Sequence, residues 1–285
     1  MTVVLTLLYV PADRPDRARK ALASASDVVI LDLEDAVAPT AKQSARMTVP
    51  ALVGAGMPRA VQVRVNTADS PWGLADLAMV ADLPPHVAVR VPKVTGPDDV
   101  RQVVEAVGER PVHCLIESAR GVEAAFEIAQ APGVATIGLG EADLRSDLGI
   151  SGPDGLDWCR QRIVVAARAA SLPPPAMAVY PDLADLDGLA ESTRRAGGFG
   201  FVGRAAIHPK QLPVIEAAFR PDVAEVTRAR EVVAAVQAAT RLGDGTAVLG
   251  DGSFLDVAMV EQAQRVLALA ARYDQPEAGG GPGRC

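Results

Sequence analysis

The chain has 285 residues, 49% hydrophobic and 22% charged, an ordinary balance for a soluble globular protein with enough apolar material for a large core. A formal net charge of −7 and a pI near 5.1 argue against a nucleic-acid or anionic-membrane surface. Three cysteines without CxxC spacing and only three histidines argue against a zinc site, and the cytosol is the expected compartment.

The first apolar run, VVLTLLYV, lacks a basic flank and a cleavage site and is too short to cross a membrane, so it reads as a strand. From there short β-branched runs alternate with longer alanine-rich amphipathic stretches. Strands are expected at Leu5–Val10, Val28–Leu33, Ala60–Val65, Val87–Val91, Val112–Ile116, Thr136–Leu139, Ala176–Ala178 and Gly200–Val202. Helices are expected at Arg14–Ser24, Thr40–Val53, Asp98–Val107, Gly121–Gln130, Leu156–Ala170 and Leu183–Ala196. Beyond them, Pro221–Arg241 reads as a helix, GDGTAVLGDGSF as a glycine-rich turn or hairpin, and Asp256–Tyr273 as a last helix.

Runs such as VVILDL and VHCLI are nearly continuous in their apolarity, as in a parallel sheet covered by helices on one side and closed on itself. The expected fold is therefore α/β, a (β/α)8 TIM barrel over residues 1–220, followed by a helical and hairpin extension at 221–274 and a flexible tail at 275–285. A doubly wound sheet is the alternative, but no GxGxxG turn follows the first strand.

Chemistry in such a barrel gathers where the strands end. Those ends are polar here: Glu34 and Asp35 from LDLEDAV, Arg64 and Asn66 from VRVN, Lys93 from VPKV, Glu117 from LIES, and Glu141 and Asp143 from GLGEAD. Singly, each fits a helix cap or a solvated turn equally well. Together they describe a charged mouth. Mg²⁺ prefers oxygen ligands and commonly takes only one or two protein carboxylates, which makes Glu117 and Asp143 candidate metal ligands. Arg64 offers a planar fork for a substrate carboxylate, or for an internal ion pair with Glu34, Asp35 or Glu117.

Several ordered segments resemble the citrate lyase β-subunit-like CoA ester lyases, within the aldolases that include malyl-CoA and citramalyl-CoA lyases. They are YVPADRPDRARKA (9–21), VVILDLEDAV (28–37), VRVN (63–66), IESARGV (116–122), GLGEADLRSDLG (138–149), AIHPKQ (206–211) and DGSFLD (251–256). The resemblance implies a Mg²⁺-dependent carbon–carbon lyase that makes or breaks a β-hydroxyacyl-CoA from an α-oxo acid and an acyl-CoA, with thioesterase or malate synthase activity as an accompaniment. It implies Mg²⁺ on Glu117 and Asp143, substrate on Arg64 and Glu117, and support for metal-bound water from Glu34 and Asp35. Asp256 would be the acid–base group, with Asp251 a weaker substitute, carried on a segment that closes over a neighbouring subunit in a homotrimer or higher assembly; a helix cap is its plainer reading. Arg14, Arg17, Lys20 and His208 would face the CoA phosphates, although solvated helix charges and loop support fit them as well. A CoA-independent oxo-acid aldolase and a non-catalytic acyl-CoA-binding subunit are the competing functions.

Overall fold

The computed structural model describes residues 3–54, 60–152, 154–241, 246–248 and 254–274, which fall into two compact units: residues 4–218, and Val3 with the described residues from Phe219 onward. In the first unit β1 (Thr6–Pro11), β2 (Val28–Asp32), β3 (Ala60–Arg64), β4 (Val87–Val91), β5 (Val112–Ile116), β6 (Val134–Leu139) and β7 (Arg204–Ala206) form one sheet in the order β6-β5-β4-β3-β2-β1-β7, every pairing parallel. Parallel pairing requires a crossover after each strand. The helices supply it: α1 (Pro15–Leu22), α2 (Lys42–Leu52), α3 (Gly73–Ala81), α4 (Pro97–Val107), the short pair α5 (Ala119–Glu123) and α6 (Ala125–Gln130), α7 (Glu141–Leu148), α8 (Asp157–Ala169), α9 (Leu186–Phe199) and α10 (Leu212–Phe219).

β1 to β6 stand within two residues of their expected positions. The last two expected strands are corrected. Ala176–Ala178 contributes a single bridge, Met177 to Arg204, because Pro173, Pro174 and Pro175 before it have no N–H to give a ladder. Gly200–Val202 is not a strand: Gly200 closes α9 in the left-handed region, Phe201 fills the core, and the strand starts only at Arg204. Gly203 between them has φ +84°, and a Cβ there would meet the Val4 carbonyl at 2.5 Å, so β7 can approach β1 only through a glycine. At the other edge, a Cβ on Gly138 of β6 would lie 3.8 Å from the Ala176 carbonyl; the sheet thus curls until its two edges face each other.

The second unit contains α11 (Val223–Arg241), the antiparallel pair β8 (Thr246–Val248) and β9 (Phe254–Asp256), and α12 (Val257–Asp274), as the sequence pattern predicts. Its core joins Ala229, Val232 and Val236 of α11 to Leu255 and Ala263. The expected tail 275–285 and Asp251 lie outside the described residues. No helix among the described residues is long and apolar enough to cross a membrane.

Candidate active site

Register builds the mouth. Asp32 and Arg64 are partners on β2 and β3, so their side chains leave the same face of the sheet. Arg64 donates from Nε and Nη2 to the two Asp32 oxygens at 2.7 and 2.6 Å, and its Nη1 lies 2.7 Å from Glu34 Oε2 and 3.6 Å from Asp35 Oδ2. Of the two expected roles for Arg64, the internal ion pair is the one present, and its bidentate partner is Asp32, an acid the sequence reading left inside a strand. Burial opposes the guanidinium charge, but the bonds to Asp32 outweigh it and raise Arg64 above its ordinary value.

The Glu34 loop is fixed from below by a buried lysine. Lys42 Nζ donates to the Leu33 and Glu34 carbonyls at 3.0 and 2.9 Å and to Asn66 Oδ1 at 2.6 Å, while Asn66 Nδ2 donates to Leu33 O and to Asp76 Oδ2. Asn66 is thus a scaffold residue.

Lys93 joins the two sides of the mouth. Its backbone adopts φ 55°, a left-handed conformation that costs a non-glycine residue about 1 kcal/mol. That turn aims the Lys93 N–H at Glu117 Oε2, 3.1 Å away, and sends Nζ to Glu34 Oε1 at 2.5 Å, Asp143 Oδ2 at 3.3 Å and Asp35 Oδ1 at 3.6 Å. Hydrogen bonding to Glu34 overcomes the burial penalty and raises the ammonium above its usual value.

Glu117, just past β5, is only 6% exposed, and its carboxyl is pushed up to about 7, first by burial, then by the neighbouring Glu34 charge, with Arg64 pulling the other way. Gly140 makes room for it: a Cβ there would fall 2.0 Å from Glu117 Oε1. Asp143 sits in the first turn of α7, where a helix favours negative charge, and its side chain is 45% exposed. Glu141, two residues earlier in the same motif, is drawn off by Arg160, which donates to both of its oxygens at 2.7 and 2.6 Å. It is structural, whereas Asp143 stays at the mouth.

Lys93, Glu117 and Asp143, with Thr95, Ser118 and Ser146, line a cavity of about 370 Å³. Among the described residues, five carboxylates (Asp32, Glu34, Asp35, Glu117, Asp143) contact the two cations Arg64 and Lys93, an excess of three negative charges in this set, five minus two. Carboxylate oxygens are the donor type that a hard cation prefers.

The other expected residues are spread more widely. Arg14 stands at the N-cap position of α1 without a side-chain capping bond, and Arg17 and Lys20 are exposed along that helix, which follows the strand end of β1. His208 is exposed after β7 and accepts the Lys210 N–H on Nδ1 at 3.1 Å, so it supports its own turn. Asp256 is the last residue of β9, in the second unit, where its backbone pairs with Thr246.

A curled parallel α/β sheet with a carboxylate-rich mouth at the strand ends fits the class of aldolase-like enzymes. Within that class, the family model for HpcH/HpaI aldolase/citrate lyase matches residues 5–209, and the chain belongs to this family. It is 35% identical to a (3S)-malyl-CoA thioesterase of Cereibacter sphaeroides, over 93% of this chain and 94% of the relative. It is 33% identical to an L-malyl-CoA/beta-methylmalyl-CoA lyase of the same organism, over 92% and 93%. Among solved structures, the protein CitE of Mycobacterium tuberculosis in complex with magnesium, acetoacetate and coenzyme A has a TM-score of 0.80 at 33% identity, covering 94% of this chain and 98% of that one. A citrate lyase β subunit from M. tuberculosis complexed with oxaloacetate and magnesium has a TM-score of 0.68 at 35% identity, covering 77% and 98%.

Proposed function

We propose that the protein is a Mg²⁺-dependent CoA ester lyase that cleaves or forms a β-hydroxyacyl-CoA of the malyl or citramalyl type. One observation carries the reading: Glu117 and Asp143, from neighbouring strand ends, line the same cavity in a mouth with three uncompensated negative charges. The donor set fits Mg²⁺, which takes oxygen ligands and needs only one or two carboxylates from protein. When bound, Mg²⁺ supplies Lewis-acid stabilisation of charge on the oxo-acid oxygen.

The chain's own residues do the rest. Arg64, held rigid by Asp32, orients the oxo-acid carboxylate through Nη1, which exchanges its 2.7 Å partner Glu34 Oε2 for the substrate. Glu34 and Asp35 support water at the metal. Asp256 exchanges the proton at the carbon beside the thioester, and Arg14, Arg17, Lys20 and His208 hold the CoA phosphates on the strand-end side. In this reading the sheet is a TIM barrel, the second unit is a lid acting on a neighbouring subunit of a homotrimer or higher assembly, and the enzyme works in the cytosol. The similarity to lyases across nearly the whole chain supports the assignment.

A panel of malyl-CoA, citramalyl-CoA, hydroxymethylglutaryl-CoA and citryl-CoA, with Mg²⁺ or chelator, tests it. Oxo acid and acyl-CoA should appear together only with metal; metal-independent turnover overturns the mechanism. A second reading, thioester hydrolysis, is favoured by the relatives named for it, and release of free CoA with intact malate would identify it.

A further inference from the structure

The helix that bears Asp143 has little apolar packing to hold it. α7 follows β6 through Gly140 and buries a single side chain, Leu144. α8, in contrast, buries Cys159, Arg160, Ile163, Ala166 and Ala167 and packs against β6, α6 and α9. Polar contacts therefore set the seat of α7. In its last turn Asp147 Oδ2 accepts the Ala119 N–H at 2.7 Å, which ties it to α5. In its first turn Glu141 accepts from Nε and Nη2 of Arg160 at 2.7 and 2.6 Å, which ties it to the well-packed α8.

A chain of ion pairs runs outward from Arg160. Its Nη1 donates to Asp157 Oδ1 at 2.8 Å, the other Asp157 oxygen meets Arg195 Nη2, and Arg195 Nη1 lies 2.7 Å from Asp154 Oδ1. Side-chain exposure rises along it, from 9% at Arg160 to 22% at Asp157 and 48% at Arg195, so the link to Glu141 is the one best shielded from water and salt. A second buried guanidinium attracts the same carboxylate. Arg204 of β7 is 2% exposed and bonds through Nη1 to the hydroxyls of Ser192 and Thr193, while its Nε has no hydrogen-bond partner among the described residues. Burial pushes Arg204 down to about 10, and the Glu141 charge pulls the other way. The two-pronged grip of Arg160 decides where Glu141 comes to rest.

We propose that Arg160 is a positioning residue: through its bidentate hold on Glu141 it fixes the rotation of α7 and so aims Asp143 at the cation. The inference rests on the metal reading of the mouth. Residues two apart in a helix point about 200° apart, so Glu141 is turned to α8 while Asp143 lines the cavity, and a roll of the helix that moves one moves the other. Mg²⁺ demands near-ideal octahedral geometry at about 2 Å and tolerates little displacement of a ligand.

Wild type, Arg160→Met, Arg160→Lys, Glu141→Gln, the double variant Arg160→Met with Glu141→Met, and Arg195→Gln at the outer end of the chain are compared by calorimetric Mg²⁺ titration, with thermal melting in chelator to establish that each is folded. Arg160→Met should weaken Mg²⁺ binding about tenfold or more, the usual cost of losing a partner that orients a metal ligand. Arg160→Lys, which keeps the charge but not the two parallel bonds, and Glu141→Gln should each weaken it less, and they decide the matter if Arg160→Met does not fold. The double variant should bind no more weakly than Arg160→Met, because the pair acts as a unit. Arg195→Gln should stay within about twofold of wild type, as an exposed pair does. A merely structural role would lower the melting temperature and leave the affinity of the folded protein unchanged. Wild-type Mg²⁺ affinity in folded Arg160→Met, or an equal loss in Arg195→Gln, overturns the inference alone; if wild type binds no Mg²⁺, the reading of the mouth fails with it.

Discussion

The two halves of the mouth are built on opposite principles. On the β2–β3 side the buried acids are paired: Asp32 by both arms of Arg64 and Glu34 by Arg64 and Lys93, with the loop backbone held by Lys42. On the β5–β6 side Glu117 accepts a single backbone N–H from Lys93, and Asp143 has one loose contact with the Lys93 ammonium. One half is a finished ion-pair lattice that holds geometry. The other is left short of positive charge, which is what the proposed pair of Mg²⁺ ligands requires.

Breaking the matched half should damage stability. Asp32→Ala removes the bidentate partner of the buried Arg64 guanidinium and leaves it only Glu34 and Asp35, which costs about 3 kcal/mol, the low end for a broken buried pair; urea unfolding would show it, and a loss under about 1 kcal/mol would mean the pair is not structural.

Easing the unmatched half should have the opposite sign. In chelator, Glu117 titrates near 7 in the folded chain against 4.5 in the unfolded one. Below about pH 4.5 both states hold the proton; above it the unfolded chain ionises first, so stability falls as pH climbs from 4.5 to 7, by on the order of 3 kcal/mol, and stays low beyond. Glu117→Gln should flatten that profile and make the metal-free protein more stable than wild type at pH 8. A variant less stable at pH 8 would contradict it.

Gly140→Ala makes the gentlest perturbation. Its φ of −94° suits alanine, but the new methyl must displace the Glu117 carboxylate. Metal-dependent turnover should fall about tenfold or more, since roughly 1 Å of misplacement can cost far more than that, while the melting temperature shifts little.

Much of this was legible in the sequence. β1 to β6 follow from apolar, β-branched runs, and Glu34, Asp35, Arg64, Glu117 and Asp143 stand out because each ends such a run. Three things were not legible. Asp32 lies inside VVILDL, and only its register with Arg64, a long-range property, turns it into a partner. Glu141 and Asp143 share one motif, and their different roles depend on Arg160, nineteen residues beyond Glu141. α7 buries only Leu144, so it has no apolar stripe to announce a helix. A usable signal did exist for the polar inner face of β3: VQVRVN places Gln62, Arg64 and Asn66 at a period of two within an apolar strand.

The central claim is that Glu117 and Asp143 bind the divalent cation, and direct Mg²⁺ titration by calorimetry tests it without reference to any substrate. Wild type should bind one Mg²⁺ per chain, reversibly with chelator, and Asp143→Asn and Glu117→Gln should each abolish that binding while remaining folded. Undiminished Mg²⁺ binding in either folded variant would contradict the account.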